Sequence, residues 1–264
     1  MNKLLSVAVT GAVLSMCVTA HATFFDRYEP PQTGYDLKTG YPLQVQDAYA
    51  VPAGEVRLQS PFMFDRRVGT EDQRGDVFTM MPEIQWGVTP FGHLRLEIPV
   101  YTGSGPTSTS GDIILGGFYN FLDETNGRPA MGISADLEIP TGTHSRGLDP
   151  IFYYYVTKTV VAEGCGRVHA NIGWIHNSGA FPEEREDFYV LRFGYSQEMF
   201  GHTVLGADFV RQKIRQQNIT ENIIEIGALH PLSNIMNLSL TLGVGVADES
   251  PDYRLGAGVQ FKWH

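Results

Sequence analysis

His176, Ser178 and Asp187 are the residues of this chain whose types could support nucleophilic chemistry. A serine hydroxyl attacks a carbonyl only when a base accepts its proton and a third group orients that base, as His176 and Asp187 would do. A hydrolytic set of these three side chains is therefore one hypothesis. The alternative is a histidine beside a turn, with Asp187 as one of several charges in the acidic sequence PEERED (182–187).

The aromatic run FYYY (152–155) could contact a hydrophobic ligand. Neighbouring side chains of a β-strand point to opposite faces, so Tyr153 and Tyr155 share one face while Phe152 and Tyr154 share the other. We predict that Tyr153 and Tyr155 face an interior and contact a ligand there. The alternative is that they belong to a ring of aromatic residues at a membrane surface, where tyrosine is common.

Other kinds of chemistry find no support in the sequence. The segment PTGTHSRG (140–147) lacks the lysine of a phosphate-binding loop, and the eight histidines show no spacing typical of metal ligands. We predict that the protein needs no cofactor and binds no metal. The net charge of −10 argues against nucleic acid as a partner.

Strands must position these side chains, because apolar residues recur at every second position in segment after segment. The last such segment, YRLGAGVQFKW (253–263), has the length of a strand that crosses a bilayer at a tilt, and it ends in aromatic residues. We predict about twelve strands, over residues 54–64, 76–86, 92–101, 112–122, 129–139, 149–161, 166–176, 187–196, 203–211, 221–230, 236–244 and 252–263.

The predicted connections alternate in length. Short turns such as PLSN (231–234) are interspersed with longer, polar loops such as TGSGPTSTSG (102–111). Outer-membrane barrels have short periplasmic turns and long external loops, and an even number of strands places both termini on the periplasmic side. The sequence therefore predicts an all-β fold, an antiparallel up-and-down transmembrane β-barrel of about twelve strands.

Charged residues occupy the polar face of nearly every predicted strand. A dry core could not hold so many ions, so this face is predicted to line a wet lumen while the apolar face meets lipid. The predicted lumen-lining residues are Arg57, Arg95, Glu97, Asp136, Glu138, Arg167, Arg192, Glu225 and Arg254. We expect the carboxylates of Glu97, Asp136 and Glu138 to pair with arginines, because isolated charges in a narrow lumen are costly. The arginines expected to pair are Arg57 and Arg95, and the mixture of signs predicts little ion selectivity.

The front of the chain divides into two predicted parts ahead of the barrel, which spans residues 53–264. Residues 1–22 have a basic start, an apolar stretch and an Ala-His-Ala ending, typical of a signal peptide that is removed; an N-terminal anchor helix is the alternative. Residues 23–52 do not alternate and form either a periplasmic extension or a plug segment. Without the signal peptide, Cys165 is the single cysteine, so no internal disulfide forms and Cys165 is interpreted as an inert turn residue.

Three motifs resemble the outer-membrane family named for the meta-pathway of phenol degradation: AYAVPAGEVRL (48–58), LEIPTGT (137–143) and HANIGWIHNSG (169–179). The resemblance covers residues 46–264. It implies a barrel in the outer membrane of a Gram-negative bacterium, associated with the breakdown of aromatic compounds. The expected partners are outer-membrane lipid, the barrel-assembly machinery and a small hydrophobic or aromatic ligand.

The sequence from Gly173 to Gly179 is also similar to the Gly-x-x-His-x-Ser-Asn-Gly signature of outer-membrane phospholipase A, another twelve-stranded barrel. The match is incomplete, because Gly179 follows Ser178 directly and Val190 stands where that family has its asparagine. We therefore predict a non-enzymatic channel or transporter for small hydrophobic or aromatic compounds. The alternatives are a lipolytic enzyme that uses His176 and Ser178, with Asp187 as the orienting group, or a purely structural barrel.

Overall fold

The computed structural model describes Tyr35, Leu37 and residues 41–71, 74–107, 111–143, 145–161, 166–200, 202–215 and 219–264. The predicted signal peptide, Cys165 and most of residues 23–40 lie outside the described residues. Within the described part, no helix has the length and apolar character needed to span a membrane.

The described residues form a closed antiparallel sheet. Its strands are β1 (Val56–Val68), β2 (Gly75–Met80), β3 (Glu83–Thr89), β4 (Gly92–Glu97), β5 (Val100–Gly103), β6 (Ile113–Leu122), β7 (Ala130–Ile139), β8 (Asp149–Val161), β9 (Gly166–His176), β10 (Asp187–Met199), β11 (Thr203–Lys213), β12 (Thr220–Ser233), β13 (Met236–Gly245) and β14 (Tyr253–Trp263). The first and last strands pair from Val56 with Trp263 to Arg66 with Tyr253, which closes the barrel. Closure satisfies the backbone donors and acceptors that lipid cannot satisfy.

Two of the predicted strands are each broken by a proline, which corrects the predictions of continuous strands over 76–86 and 92–101. Pro82 separates β2 from β3, and Pro99 separates β4 from β5. Proline has no N–H to donate to a sheet and interrupts the ladder where it stands. The breaks lie side by side, since the Ile98 N–H donates to the Pro82 carbonyl oxygen over 2.9 Å. β2 and β3 together form one membrane-crossing strand, and so do β4 and β5. The fourteen described strands therefore form twelve crossings, and the predicted twelve-stranded antiparallel barrel is confirmed.

The breaks interrupt the strand pairing between β5 and β6 in the described part of the chain. β4 pairs with β6 from Gly92 to Glu97, whereas β5 pairs with β2 along one edge. Among the described residues, no strand pairs with the other edge of β5. The sheet therefore lacks a ladder at this point, on the side of the long connections.

An apolar belt covers the outside of the barrel, as the alternation predicts. Ile98, Leu137 and Ile172 are exposed, and Leu240 is 66% exposed. The charged residues between them on the same strands point inward. Exposed apolar surface of this extent suits a lipid environment and would be unusual for a protein that folds in water.

Tyr35, Leu37 and residues 41–52 lie inside the barrel, and we call them the luminal segment. Barrel side chains bind its backbone: the Val45 N–H donates to Asp208 over 2.7 Å, and the Ala48 N–H donates to Thr157 over 2.9 Å. Asn171 accepts from the Gln46 N–H and donates to the Gln46 carbonyl oxygen, at 2.8 and 2.7 Å. The polar wall thus replaces the water that an extended backbone would otherwise bind.

Inward-facing glycines make room for the luminal segment. A Cβ atom on Gly258 would lie 2.8 Å from the Tyr41 ring, and one on Gly206 would lie 2.8 Å from Leu43. Tyr41 and Leu43 are fully buried as a result. Of the two interpretations offered for residues 23–52, the described contacts of residues 41–52 are those of a segment packed within the lumen.

Candidate functional site

A cavity of about 160 Å³ lies in the lumen, between the luminal segment and the long connections. Gln44 of the luminal segment contributes to its lining. The other side chains that line the cavity are apolar on β8 to β10 and largely charged on the remaining strands. The apolar side chains are Ile151, Tyr153, Tyr155, Ile175, Phe188 and Val190, and the charged ones include Asp65, Arg95, Glu97, Glu138, Arg192, Glu221 and Arg254.

Tyr153 and Tyr155 both point inward and line this cavity, on the face that the sequence predicts. Their ring centroids are 5.9 Å apart. The Tyr155 hydroxyl lies 3.1 Å from the Ser134 hydroxyl, and the Arg192 guanidinium lies 5.1 Å from the Tyr153 ring centroid. These contacts fix the rings in place, so they offer a rigid aromatic surface to a planar ligand. Ligand contact by the two tyrosines stays a prediction.

The apolar neighbours of these tyrosines were missed from the sequence. Phe188 and Val190 are buried inside the barrel, and Ile151 and Ile175 also line the cavity. A sequence signal was present: near their external ends, β8, β9 and β10 carry apolar residues at consecutive positions instead of alternate ones. Such a loss of alternation marks a strand that is apolar on both faces.

Arginines bridge the strands around the cavity. Arg95 forms a two-pronged pair with Asp136, at 2.7 and 2.6 Å. Arg254 donates to Asp65 at 2.5 and 2.8 Å and to Glu225 at 2.9 Å. Charge-assisted pairs of this geometry hold the strands in register and limit the free width of the lumen.

Arg215 lies beside the cavity, near the external mouth. It follows β11 and is buried, and it donates to Glu138 at 3.3 Å and to Asp149 at 3.0 Å. Ile214 and Ile219, from the same connection, are also buried. The described residues of this connection therefore lie within the external mouth.

Not all of the predicted lumen-lining residues reach the cavity. Arg95, Glu97, Glu138, Arg192 and Arg254 line it, whereas the others are buried elsewhere inside the barrel. The others are Arg57, Asp136, Arg167 and Glu225.

Two of the predicted arginines have partners other than the carboxylates of the barrel strands. Arg57 hydrogen-bonds to Glu55, two residues away, and this corrects its expected pairing with the carboxylates of β4 and β7. The Arg167 guanidinium lies 4.9 Å from the ring centroids of both Tyr35 and Tyr49. Alternation predicts which face a residue occupies, but it does not predict the neighbour that the residue meets there.

A second anchor ties the luminal segment to the turn between β6 and β7. The Tyr49 hydroxyl donates to Glu124 over 2.6 Å. Burial alone would raise the pKa of the Glu124 carboxyl, but hydrogen bonds from Tyr49, Lys158 and the Thr159 N–H outweigh it and hold this pKa below its ordinary value. Burial, in turn, raises the pKa of the Tyr49 hydroxyl. Glu124 is therefore an ionised acceptor, and Tyr49 a neutral donor, near pH 7.

The candidate hydrolytic residues lie on the outer surface near the external rim. His176 Nδ1 is 3.1 Å from Asp187 Oδ1, and the Trp174 indole N–H donates to the same oxygen over 3.0 Å. The Ser178 hydroxyl instead donates to the Leu148 carbonyl oxygen over 2.6 Å. The structure thus joins His176 to Asp187 and directs Ser178 elsewhere, so no activated nucleophile is assembled.

Metal-binding geometry is not found among the described residues, where no group of His, Cys, Asp and Glu side chains could hold an ion.

Comparison with known families gives one match. The family model described as "Putative MetA-pathway of phenol degradation" matches residues 39–263. A search of curated proteins found no match.

Solved structures of similar fold include an outer membrane channel and porins. The COG4313 outer membrane channel from Pseudomonas putida F1 superposes with a TM-score of 0.63 and 13% identity, over 82% of this chain and 98% of that one. The KdgM porin gives a TM-score of 0.54 and 11% identity, over 79% and 99%. The NanC porin gives 0.54 and 7%, over 79% and 100%. At these identities the likeness shows the fold alone.

Proposed function

We propose a transport function for this chain, which belongs to the family described as "Putative MetA-pathway of phenol degradation". It passes small aromatic or hydrophobic molecules across the outer membrane. The observation that carries the proposal is the luminal cavity with its aromatic wall, Tyr153, Tyr155 and Phe188, inside a barrel with the fold of channels and porins. An interior that served only structure would have no need of a cavity lined by fixed rings.

The dimensions of the interior favour single small molecules over a wide stream of solutes. The luminal segment occupies the barrel near the short turns, and the buried Arg215 lies in the opposite mouth. The space left is about 160 Å³, which suits one aromatic ring with small substituents. Passage therefore requires a narrow or lateral route.

We propose a lateral route between β5 and β6, where no strand pairing joins the two among the described residues. Tyr101, Thr107 and Ile114 flank this place and also line the cavity. Val100 and Leu115 present apolar surface to the outside close by. We propose that a hydrophobic molecule moves between the cavity and the lipid here, which spares it a transfer through water.

Catalysis is not part of the proposal. The Ser178 hydroxyl is hydrogen-bonded to the Leu148 carbonyl oxygen, away from the base that it would need. Ser178→Ala should leave transport unchanged, and a phospholipase assay of wild-type protein should show no hydrolysis that this variant lacks. Hydrolysis that disappears in Ser178→Ala would favour the lipolytic alternative.

The test of the proposal is uptake of radiolabelled phenol into proteoliposomes. We expect Tyr153→Leu to lower the uptake rate several-fold, because it removes a ring from the cavity wall. Tyr154→Leu is the matched control, since Tyr154 is the next residue of β8 and lies on the outside. Uptake no faster than in protein-free vesicles would favour a structural barrel, and an equal effect of both variants would reject the cavity as the transport site.

A further inference from the structure

We infer that Glu97 determines which ligands the cavity accepts. It favours aromatic molecules that carry a hydrogen-bond donor or a positive charge, and it disfavours aromatic carboxylates. The inference rests on the proposed function for the identity of the site. Its own evidence is the placement of one carboxylate.

Glu97 is the last residue of β4, directly before the break at Pro99, and its side chain lines the cavity. Its register partners are Glu83 on β3 and Ile114 on β6. Opposed side chains of paired strands lie roughly 5 Å apart at Cβ. Glu97 thus stands between a second carboxylate and an apolar residue, and neither can neutralise it.

The groups that could neutralise Glu97 are committed elsewhere. Arg95, two residues earlier on the same face, holds both carboxylate oxygens of Asp136. The side-chain amides of Gln59 and Gln85 donate to Glu83, at 2.7 and 2.9 Å. Glu97 itself makes no hydrogen bond and no ion pair with any described residue. A carboxyl group away from bulk water has an unfavourable charged form and unpaired polar atoms, so a ligand that brings a hydrogen-bond donor or a positive charge to it is favoured.

The other parts of the wall specify the rest of the ligand. Tyr153, Tyr155 and Phe188 supply flat apolar surface for a ring, and Glu97 supplies the acceptor for a hydroxyl or amino group on that ring. Arg192 and Lys213 also line the cavity, but the carboxyl groups of Glu83 and Glu138 lie near Glu97, so a ligand carboxylate placed beside Glu97 would meet like charges. The mixture of positive and negative side chains on the inner face predicted little ion selectivity. Because the arginines pair with other carboxylates, however, Glu97 is the carboxyl group that faces the ligand.

The experiment compares three ligands of one ring size by isothermal titration of the full barrel in detergent. Phenol carries a donor, anisole replaces the donor with a methyl ether, and benzoate carries a negative charge. We expect wild-type protein to bind phenol about tenfold tighter than anisole, the value of one hydrogen bond to a charged acceptor, and to bind benzoate weakest. Glu97→Gln should narrow the gap between phenol and benzoate, whereas Glu97→Asp should retain it.

Glu71→Gln is the matched control, because it makes the same chemical change at an exposed residue of the connection between β1 and β2. Wild-type protein that binds benzoate as tightly as phenol would overturn the inference, and so would wild-type protein that binds none of the three ligands. The inference would also be overturned if Glu97→Gln, like Glu71→Gln, ranked the three ligands as wild-type protein does. Proteoliposome uptake separates the two proposals: failure of phenol uptake with the ligand ranking intact would reject only transport.

Discussion

Leu240→Arg tests whether the apolar belt meets lipid. Leu240 lies in the interior of β13, faces outward and is 66% exposed. It lies four positions after Met236, which starts the strand; at about 3.4 Å per residue and a tilt of roughly 40°, it lies about 10 Å into the belt. An outer belt is about 25 Å tall, so Leu240 lies near its middle.

The expected cost follows from this depth. An arginine on the lipid face costs about 2–4 kcal/mol at the midplane and about 0–1 kcal/mol near the interfaces. Leu240→Arg should therefore reduce the folding equilibrium constant in lipid by about 30- to 800-fold. Tyr253→Arg is the matched control, because Tyr253 also faces outward but begins β14 at the external rim.

The measurement is urea unfolding in phospholipid vesicles, followed by the heat-modifiable mobility of folded barrel in gels. We expect a clear loss of stability for Leu240→Arg and little loss for Tyr253→Arg. Equal stability of Leu240→Arg and wild type would refute the assignment of this face to lipid. Equal losses in the two variants would refute the depth argument.

Three further predictions concern the pairs and ends of the barrel. Arg95→Ala should destabilise the barrel by roughly 3 kcal/mol in urea unfolding, because it leaves the charge of Asp136 without a partner. The double variant Arg95→Ala/Asp136→Ala should recover part of this stability. A double variant that is no more stable than the single one would contradict the prediction. The pKa of Glu124 is lower in the folded protein than its ordinary value of 4.5. Its contribution to stability is therefore present above pH 4.5 and is lost as the pH falls through the folded pKa. Glu124→Gln should accordingly flatten the acid side of a plot of stability against pH. An unchanged slope would show that the contact with Tyr49 contributes nothing. Deletion of residues 262–264 removes Trp263, whose ring stacks on Phe261. If the last strand is the assembly signal, this deletion should abolish membrane insertion but leave export intact. Normal insertion with a lower Tm would mean that Trp263 has only a packing role.

Alternation was sufficient to predict which face most strand residues occupy. Leu240 and Ile172 lie outside, and Arg95 and Arg254 lie inside, because a period of two assigns sides without knowledge of the fold. The breaks at Pro82 and Pro99 were missed because the apolar pattern continues across them. The only sequence signal for these breaks was proline itself, which has no N–H to donate to the sheet.

The placement of the luminal segment lay beyond the reach of periodicity. Residues 41–48 are all buried, so both faces of this part of the segment are covered and no alternation develops. Its signal was indirect, in inward-facing glycines such as Gly206 and Gly258 on strands that otherwise carry polar side chains there. Pair partners were equally hidden, since Arg57 meets Glu55 of its own strand region rather than a carboxylate across the lumen.

The lumen divides its polar residues between two tasks. Towards the short turns, Asp208, Asn171 and Thr157 bind the backbone of the luminal segment, so they are unavailable to a ligand. Towards the external mouth, the arginines bind carboxylates and leave a small space with fixed rings and Glu97. A ligand in this space meets hydrogen-bonded backbone on one side and, among the described residues, the unpaired stretch between β5 and β6 on the other. At about 1 kcal/mol for each hydrogen bond of the segment, displacement of the segment costs several kcal/mol. No strand pairing would have to break between β5 and β6 among the described residues, which is why we propose the lateral route in preference to one past the luminal segment.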